Sequence, residues 1–389
     1  MNKFELKLCV IAVLLLNTVQ AVTGQIRITH GPYLQNVSET EATIVWLTDK
    51  NAVSWVELAP NNNLPFYNAE RPRFFASKIG IKTEAKIHVV TIRHLEPGTK
   101  YRYRVYSQEV LKHDGWHVYY GDIAATDVFS KSPLTFVTNN HSKPETTFTV
   151  VNDIHGKNDV LEQLIIKAEP KKNDMIIFNG DMATIINSEE DIFAGFMDKS
   201  IELFAKETPL YYARGNHETR GSFAAVFKDY FPQGQQGLYF MFRQGPVCFI
   251  VLDSGEDKPD SDLEYSGIVD YDTYRDDEAL WLREAVKSRD FIEAPFKVAV
   301  CHMPPANDWH GEKEVLQKFV PILNEAKIDV MLCGHLHRHI KRPPTELIKF
   351  PVIVNSNTNL LRAKATITEL SIEVIATDGS KVDSFVLKK

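Results

Sequence analysis

The stretch TFTVVNDIHGKNDVLEQLIIKAEPKKNDMIIFNGD, residues 147–181, decides the architecture. It opens on an apolar run of strand length that stops at Asn152-Asp153. Val160, Leu161, Leu164, Ile165 and Ala168 then fall on one face at helical spacing, and a second apolar run, Met175 to Phe178, stops at Gly180-Asp181. The alternation continues with PLYYARGNHE (209–218), VCFIVLD (247–253), FKVAVCH (296–302) and IDVMLCGH (328–335). Between Met175–Phe178 and PLYYARGNHE, Ile192, Phe193, Phe196, Met197 and Phe204 form another apolar helical stripe. Strands that are apolar along their whole length are buried on both faces, so this half is an α/β layered domain.

Upstream the period changes to two. EATIVWLT (41–48) places Ala42, Ile44 and Trp46 on one face and Thr43, Val45 and Leu47 on the other. KIHVVTIRHL (86–95) and KYRYRVYSQ (100–108) follow, with Glu96-Pro97-Gly98-Thr99 as the turn between them. Short alternating strands joined by turns predict a β-sandwich over residues 25–140. The polar stretch Asn139 to Glu145 is the linker, and the second domain runs from 145 to 389. ATITELSIEVIATDGSKVDSFVL (365–387) alternates around a Thr377-Asp378-Gly379 turn and predicts a closing antiparallel hairpin.

The first residues have the order of a secretory signal: Lys3 and Lys7, an apolar run from Leu8 to Leu16, then small residues ending at Val19-Gln20-Ala21. Residues 1–21 are therefore expected to be cleaved on export to a periplasmic or extracellular space. The apolar run is too short to span a bilayer, and no later segment approaches the length of a membrane span. The 389 residues are 44% hydrophobic and 24% charged, an ordinary globular composition. A net charge of −7 speaks against general nucleic-acid binding, which needs an excess of Lys and Arg. Cys248, Cys301 and Cys333 lie in apolar runs and are expected as buried thiols.

Polar residues of one chemical type sit at the ends of the apolar runs: Asp153 and His155, Asp181, Asn216 with His217 and Glu218, His302, and His335 with His337. In open α/β sheets the strand C-termini line the ligand crevice, so all five clusters are expected on one rim. Carboxylate, imidazole and amide oxygen suit Zn, Mn or Fe. Seven such groups are too many for one cation and fit two sharing a bridge, for which Asp181 is the candidate. A D-x-H triplet alone says little; GNHE and GHLH are specific, and the ordered set more so.

This order of D-x-H, G-D, G-N-H-E, a lone His and G-H-x-H resembles the calcineurin-like metallophosphoesterase superfamily, from Thr146 to about His339. HGPYLQ…TEATIVWLT is similar to the N-terminal domain of purple acid phosphatases, and LEPGTKYRYRV to a corner of fibronectin type III-like domains. The resemblance implies a four-layer α/β/β/α catalytic domain and hydrolysis of a phosphate ester, most simply a monoester, by a metal-bound hydroxide. A phosphodiesterase or nucleotidase, or a binding protein with a vestigial site, are the alternatives. Asp153, His155 and His337 are implied to hold the first of two divalent ions, Asn216, His302 and His335 the second, with Asp181 between them. His217 would lie beside the phosphate with Asn216, and Glu218 would orient His217. The purple branch has D-x-G where this chain has His155, and a ligating Tyr where it has Thr184, so a colourless protein is expected.

Flanking residues carry weaker expectations. Arg220 and Arg338 are candidates for phosphate, with solvated arginines as the plainer reading. Asn307, Trp309 and His310 are either pocket or ordinary loop. The acidic stretch Asp253 to Asp277 reads as a solvated insertion, and His88, His94, His113 and His117 as surface residues.

Overall fold

A computed structural model describes residues 24–234 and 237–389; the expected signal segment lies outside the described residues. The N-terminal part is built from one seven-stranded sheet folded over a long strand, Glu41–Pro60. Its first half pairs with Ile28–Gln35 and Glu84–Arg93, and its second half with Lys100–Asp114, with a register break between Leu47 and Ala52. The two halves face each other across a core of Leu34, Ile44, Trp46, Val56, Val90 and Phe136.

The alternation in EATIVWLT is only half the story. Ala42, Ile44 and Trp46 face that core as predicted, yet Val45 and Leu47 are equally buried because they pack into a second cluster with Phe193, Phe196 and Phe231. The outer face of the sheet is thus covered by the following domain. Polar links fasten the seam: the Tyr33 and Tyr103 hydroxyls donate to the carbonyls of Tyr230 and Lys206, and the Tyr211 hydroxyl donates to Val37.

The second half contains two six-stranded sheets packed face to face. In the first, Glu145–Val151, Met175–Asn179 and Leu210–Ala213 run parallel, and Asn359–Thr366, Glu369–Ala376 and Lys381–Lys388 extend it antiparallel. The predicted C-terminal hairpin is the outer part of this meander. In the second, Val247–Leu252, Phe296–Cys301, Val330–Cys333 and Val352–Val354 run parallel. Phe148, Ile177, Phe249, Val298 and Leu332 fill the space between the sheets. Helix Asn158–Ala168 buries Leu161, Leu164, Ile165 and Ala168 on the outside of the first sheet, at the spacing read from sequence. Helix Tyr271–Ala285 and the helical run around Phe319 cover the second. The result is an α/β/β/α stack behind a β-rich domain. Among the described residues no helix is long and apolar enough to cross a membrane.

Two expectations fail here. His88 is fully buried, with its ring beside Trp46 and Nε2 bonded to the Thr48 hydroxyl, while His94, His113 and His117 are exposed as read. The stretch from Asp253 is a solvated insertion only in part: Asp253, Glu256, Asp257 and Arg275 are buried, while Glu264, Asp270, Asp276 and Asp277 are exposed as read. Cys248, Cys301 and Cys333, the cysteines among the described residues, are buried free thiols.

Burial pushes the His88 imidazole down to about 3, against roughly 6.5 when unfolded. The unfolded chain therefore binds more protons between those values, so stability is complete above about pH 6.5 and falls as pH drops towards 3. Acid unfolding followed by circular dichroism should show a shallower loss over that window in His88→Gln than in the unmodified protein. Parallel curves would mean that His88 contributes nothing to acid sensitivity.

Candidate metal centre

The rim predicted from the strand ends exists. Asp153 and His155 follow strand Glu145–Val151, Asp181 follows Met175–Asn179, and Asn216 and His217 follow Leu210–Ala213. His302 follows Phe296–Cys301, and His335 and His337 follow Val330–Cys333. The loops cross-link: Asp153 N–H donates to Gly180, and His155 N–H to Asp181.

Placing these side chains strains the backbone. Asp153, His155, Asp181, His335 and His337 all have left-handed φ, between 50° and 71°. Such values are uncommon outside glycine and cost of order 1 kcal/mol or more each, and they gather at functional sites. Two neighbouring glycines make room. A Cβ on Gly180 would meet the His302 ring, and one on Gly215 would collide with the Asp181 carboxylate.

The donor atoms converge in two groups. Asp153, His155, Asp181 and His337 form one, and Asp181, His302 and His335 the other, with the donor atoms of each within 4.8 Å of one another. His155 Nε2 lies 3.1 Å from His337 Nε2, and His337 Nε2 lies 3.2 Å from Asp153 Oδ1. His302 Nε2 lies 3.1 Å from Asp181 Oδ2, and Asn216 Oδ1 lies 3.1 Å from His335 Nδ1. Asp181 belongs to both groups. Asp153 Oδ1 and His302 Nε2 are buried and make no hydrogen bond, which is costly for polar atoms unless a cation engages them.

The electrostatics suit cation binding. Burial pushes the His155 imidazole down to about 4, and burial with the nearby His302 does the same to His335. Both rings are therefore neutral, with lone pairs free, over the ordinary pH range. Burial opposes a charge on His302, but the Asp181 and Asp153 carboxylates outweigh it and raise that imidazole. His302 Nδ1 lies 2.7 Å from the Asn179 carbonyl. A carbonyl only accepts, so Nδ1 carries a proton and Nε2 is the atom turned to Asp181.

Two roles expected from sequence need correction. Glu218 does not touch His217. Its Oε2 accepts from the N–H groups of Asp181 and Gly215, and its Oε1 from Ala183 N–H and the Tyr212 hydroxyl. Burial raises its pKa, yet four donors and no acceptor around it fit only the carboxylate. What orients His217 is the Thr184 carbonyl, 2.7 Å from Nδ1. Arg220 is neither solvated nor free for phosphate, because its guanidinium donates to Glu256 and Asp257. Arg338, Asn307 and Trp309 are exposed, and His310 is bonded to Asp272. Sequence reading missed Asp253, although it too directly follows an apolar run; its partner is Arg214, just before the GNHE motif.

Comparison with known proteins now bears on this geometry. Residues 146–339 match the calcineurin-like phosphoesterase family, and residues 30–120 match the purple acid phosphatase N-terminal domain. The chain belongs to the calcineurin-like phosphoesterases. Among curated relatives the chain is 26% identical to purple acid phosphatase 21 of Arabidopsis thaliana over 67% of its own length. It is 23% identical to purple acid phosphatase 1 of Ipomoea batatas over 76%, and 26% identical to acid phosphatase type 7 of Mus musculus over 54%. It spans 54%, 59% and 44% of those three proteins, about half their length.

Proposed function

We propose that this phosphoesterase hydrolyses phosphate esters, most simply monoesters, with two divalent cations (Zn, Mn or Fe) bound at the rim. Asp153, His155, Asp181 and His337 would hold the first, and Asp181, Asn216, His302 and His335 the second. The observation that carries this reading is the carboxylate common to both donor groups: one anion offsets the repulsion between two cations a few Å apart. Cations held in this way supply Lewis acidity and activate water.

The chain's own residues do the rest. Thr184 holds His217 by Nδ1, so Nε2 faces the site, 3.9 Å from Asp181 Oδ2. From there Nε2 is placed to give a proton to the leaving oxygen, or a hydrogen bond to the phosphoryl group. The Asp181 Oδ1 atom accepts the His217 backbone N–H, which ties the donor to the bridge. Glu218, clamped by four hydrogen bonds, keeps the Asp181 and Gly215 loops at fixed separation. We read residues 25–140 and 145–389 as the two domains, and residues 1–21 as removed on export.

The test is hydrolysis of an aryl phosphate monoester and an aryl phosphate diester by chelated and cation-reloaded protein. Cation-dependent turnover favouring the monoester is expected; activity indifferent to chelation would sink the reading. The same sample should be colourless. Thr184 brings only its carbonyl, and the buried Tyr212 hydroxyl is held by Glu218 with its pKa well above the ordinary phenol value. Tyr212 therefore supplies no tyrosinate for charge transfer to ferric iron. A strong visible band lost in Tyr212→Phe would overturn that expectation.

A further inference from the structure

We infer that the buried segment Asp253 to Asp257 is a cradle for the GNHE turn, and that Glu256 is the positioning residue for Asn216 and His217. The inference rests on the proposed phosphoesterase site and concerns residues outside it.

The cradle grips the turn on both sides. Before it, Arg214 makes a two-pronged ion pair with Asp253, with Nε to Oδ1 at 3.2 Å and Nη2 to Oδ2 at 2.8 Å. After it, Arg220 makes another with Glu256, with Nε to Oε1 at 2.8 Å and Nη2 to Oε2 at 3.0 Å. Planar pairs of this kind fix direction as well as distance. Asp253 and Glu256 are almost wholly inaccessible, so solvent screens these interactions little.

Glu256 reaches closest to the site. Its Oε1 also lies 2.8 Å from the Thr219 hydroxyl, and that hydroxyl lies 2.6 Å from the Asn216 carbonyl. A hydroxyl has one proton to give, so Glu256 and Asn216 compete for it. The Arg220 N–H in turn donates to the His217 carbonyl. Glu256 therefore acts on both residues through Thr219 and Arg220 without touching either side chain. The cradle is anchored in its turn: Tyr265 donates to Glu256 Oε2, and Tyr274 to Asp253 Oδ2.

Glu256→Gln keeps the shape and removes the charge. Full-length, cation-loaded protein carrying it should lose about 10–100-fold in kcat, the range for a displaced group or a lost supporting partner. KM and cation content should be little changed. Hydrogen–deuterium exchange should quicken at the amides of residues 215–220 and stay unchanged in strand Phe296–Cys301. Tyr265→Phe, which takes away the hydroxyl shared by Glu256, Asp257 and the Lys258 N–H and leaves the Arg220 ion pairs with Glu256 and Asp257 in place, should move both readouts the same way to a smaller extent. Unchanged exchange in the turn, or exchange that rises throughout the domain, would overturn the inference. Should the unmodified protein fail to hydrolyse any phosphate ester, the functional reading falls, and the exchange measurement alone decides the cradle.

Discussion

Asp181→Asn should strip the site of cations and with them nearly all turnover. Its carboxylate is shared by both donor groups, with Oδ2 3.1 Å from His302 Nε2 and 3.9 Å from His155 Nε2, while Oδ1 takes the His217 N–H. An amide keeps the size but removes the anion that offsets two like charges, and it turns one acceptor into a donor facing imidazole lone pairs. The loss in affinity should exceed the roughly 10–100-fold that removal of a mere supporting partner costs. Elemental analysis of the purified variant, with hydrolysis measured in parallel, checks this. Two cations per chain and ordinary turnover would remove Asp181 from the bridge.

His217→Ala should do the opposite: keep the cations and lose the chemistry. The ring belongs to neither donor group; its Nδ1 is committed to Thr184 and its side chain is a quarter exposed. Turnover should fall by about 10²–10⁴, the range for a missing acid or positioned donor. The nature of the leaving group tells the two roles apart. If Nε2 gives a proton, an alkyl phosphate, whose leaving oxygen needs one, should suffer far more than a nitrophenyl phosphate. If it only binds the phosphoryl group, both should suffer alike. Loss of cations in this variant would instead make His217 a ligand.

Seen from the sequence, the glutamate of GNHE and the arginine two residues beyond it are chemically ambiguous. A carboxylate next to a histidine in the chain suggests an orienting pair, but the tight turn His217–Thr219 sends the Glu218 side chain inward. There the nearest donors are the backbone N–H groups of Asp181 and Ala183 in another loop and of Gly215 at the start of its own turn. Arg220 looks available for phosphate until the fold brings up Glu256, 36 positions away. Val45, Leu47 and His88 make the same point in the first domain. Alternation separates two faces correctly and cannot say that a second domain will cover the outer one.

The sequence by itself determined the layers and the rim: apolar runs too uniform for a one-sided sheet, and ligand-type residues placed directly after them. Both follow from local rules, because burial on two faces dictates composition and a strand's end dictates where the next residues emerge. Only the tertiary structure decided what Glu218 and Arg220 hold, and that Asp253, Glu256 and Asp257, just after strand Val247–Leu252, are buried. Those outcomes depend on partners tens to hundreds of residues apart, whose approach is set by how sheets and loops pack and leaves no periodic mark in the chain.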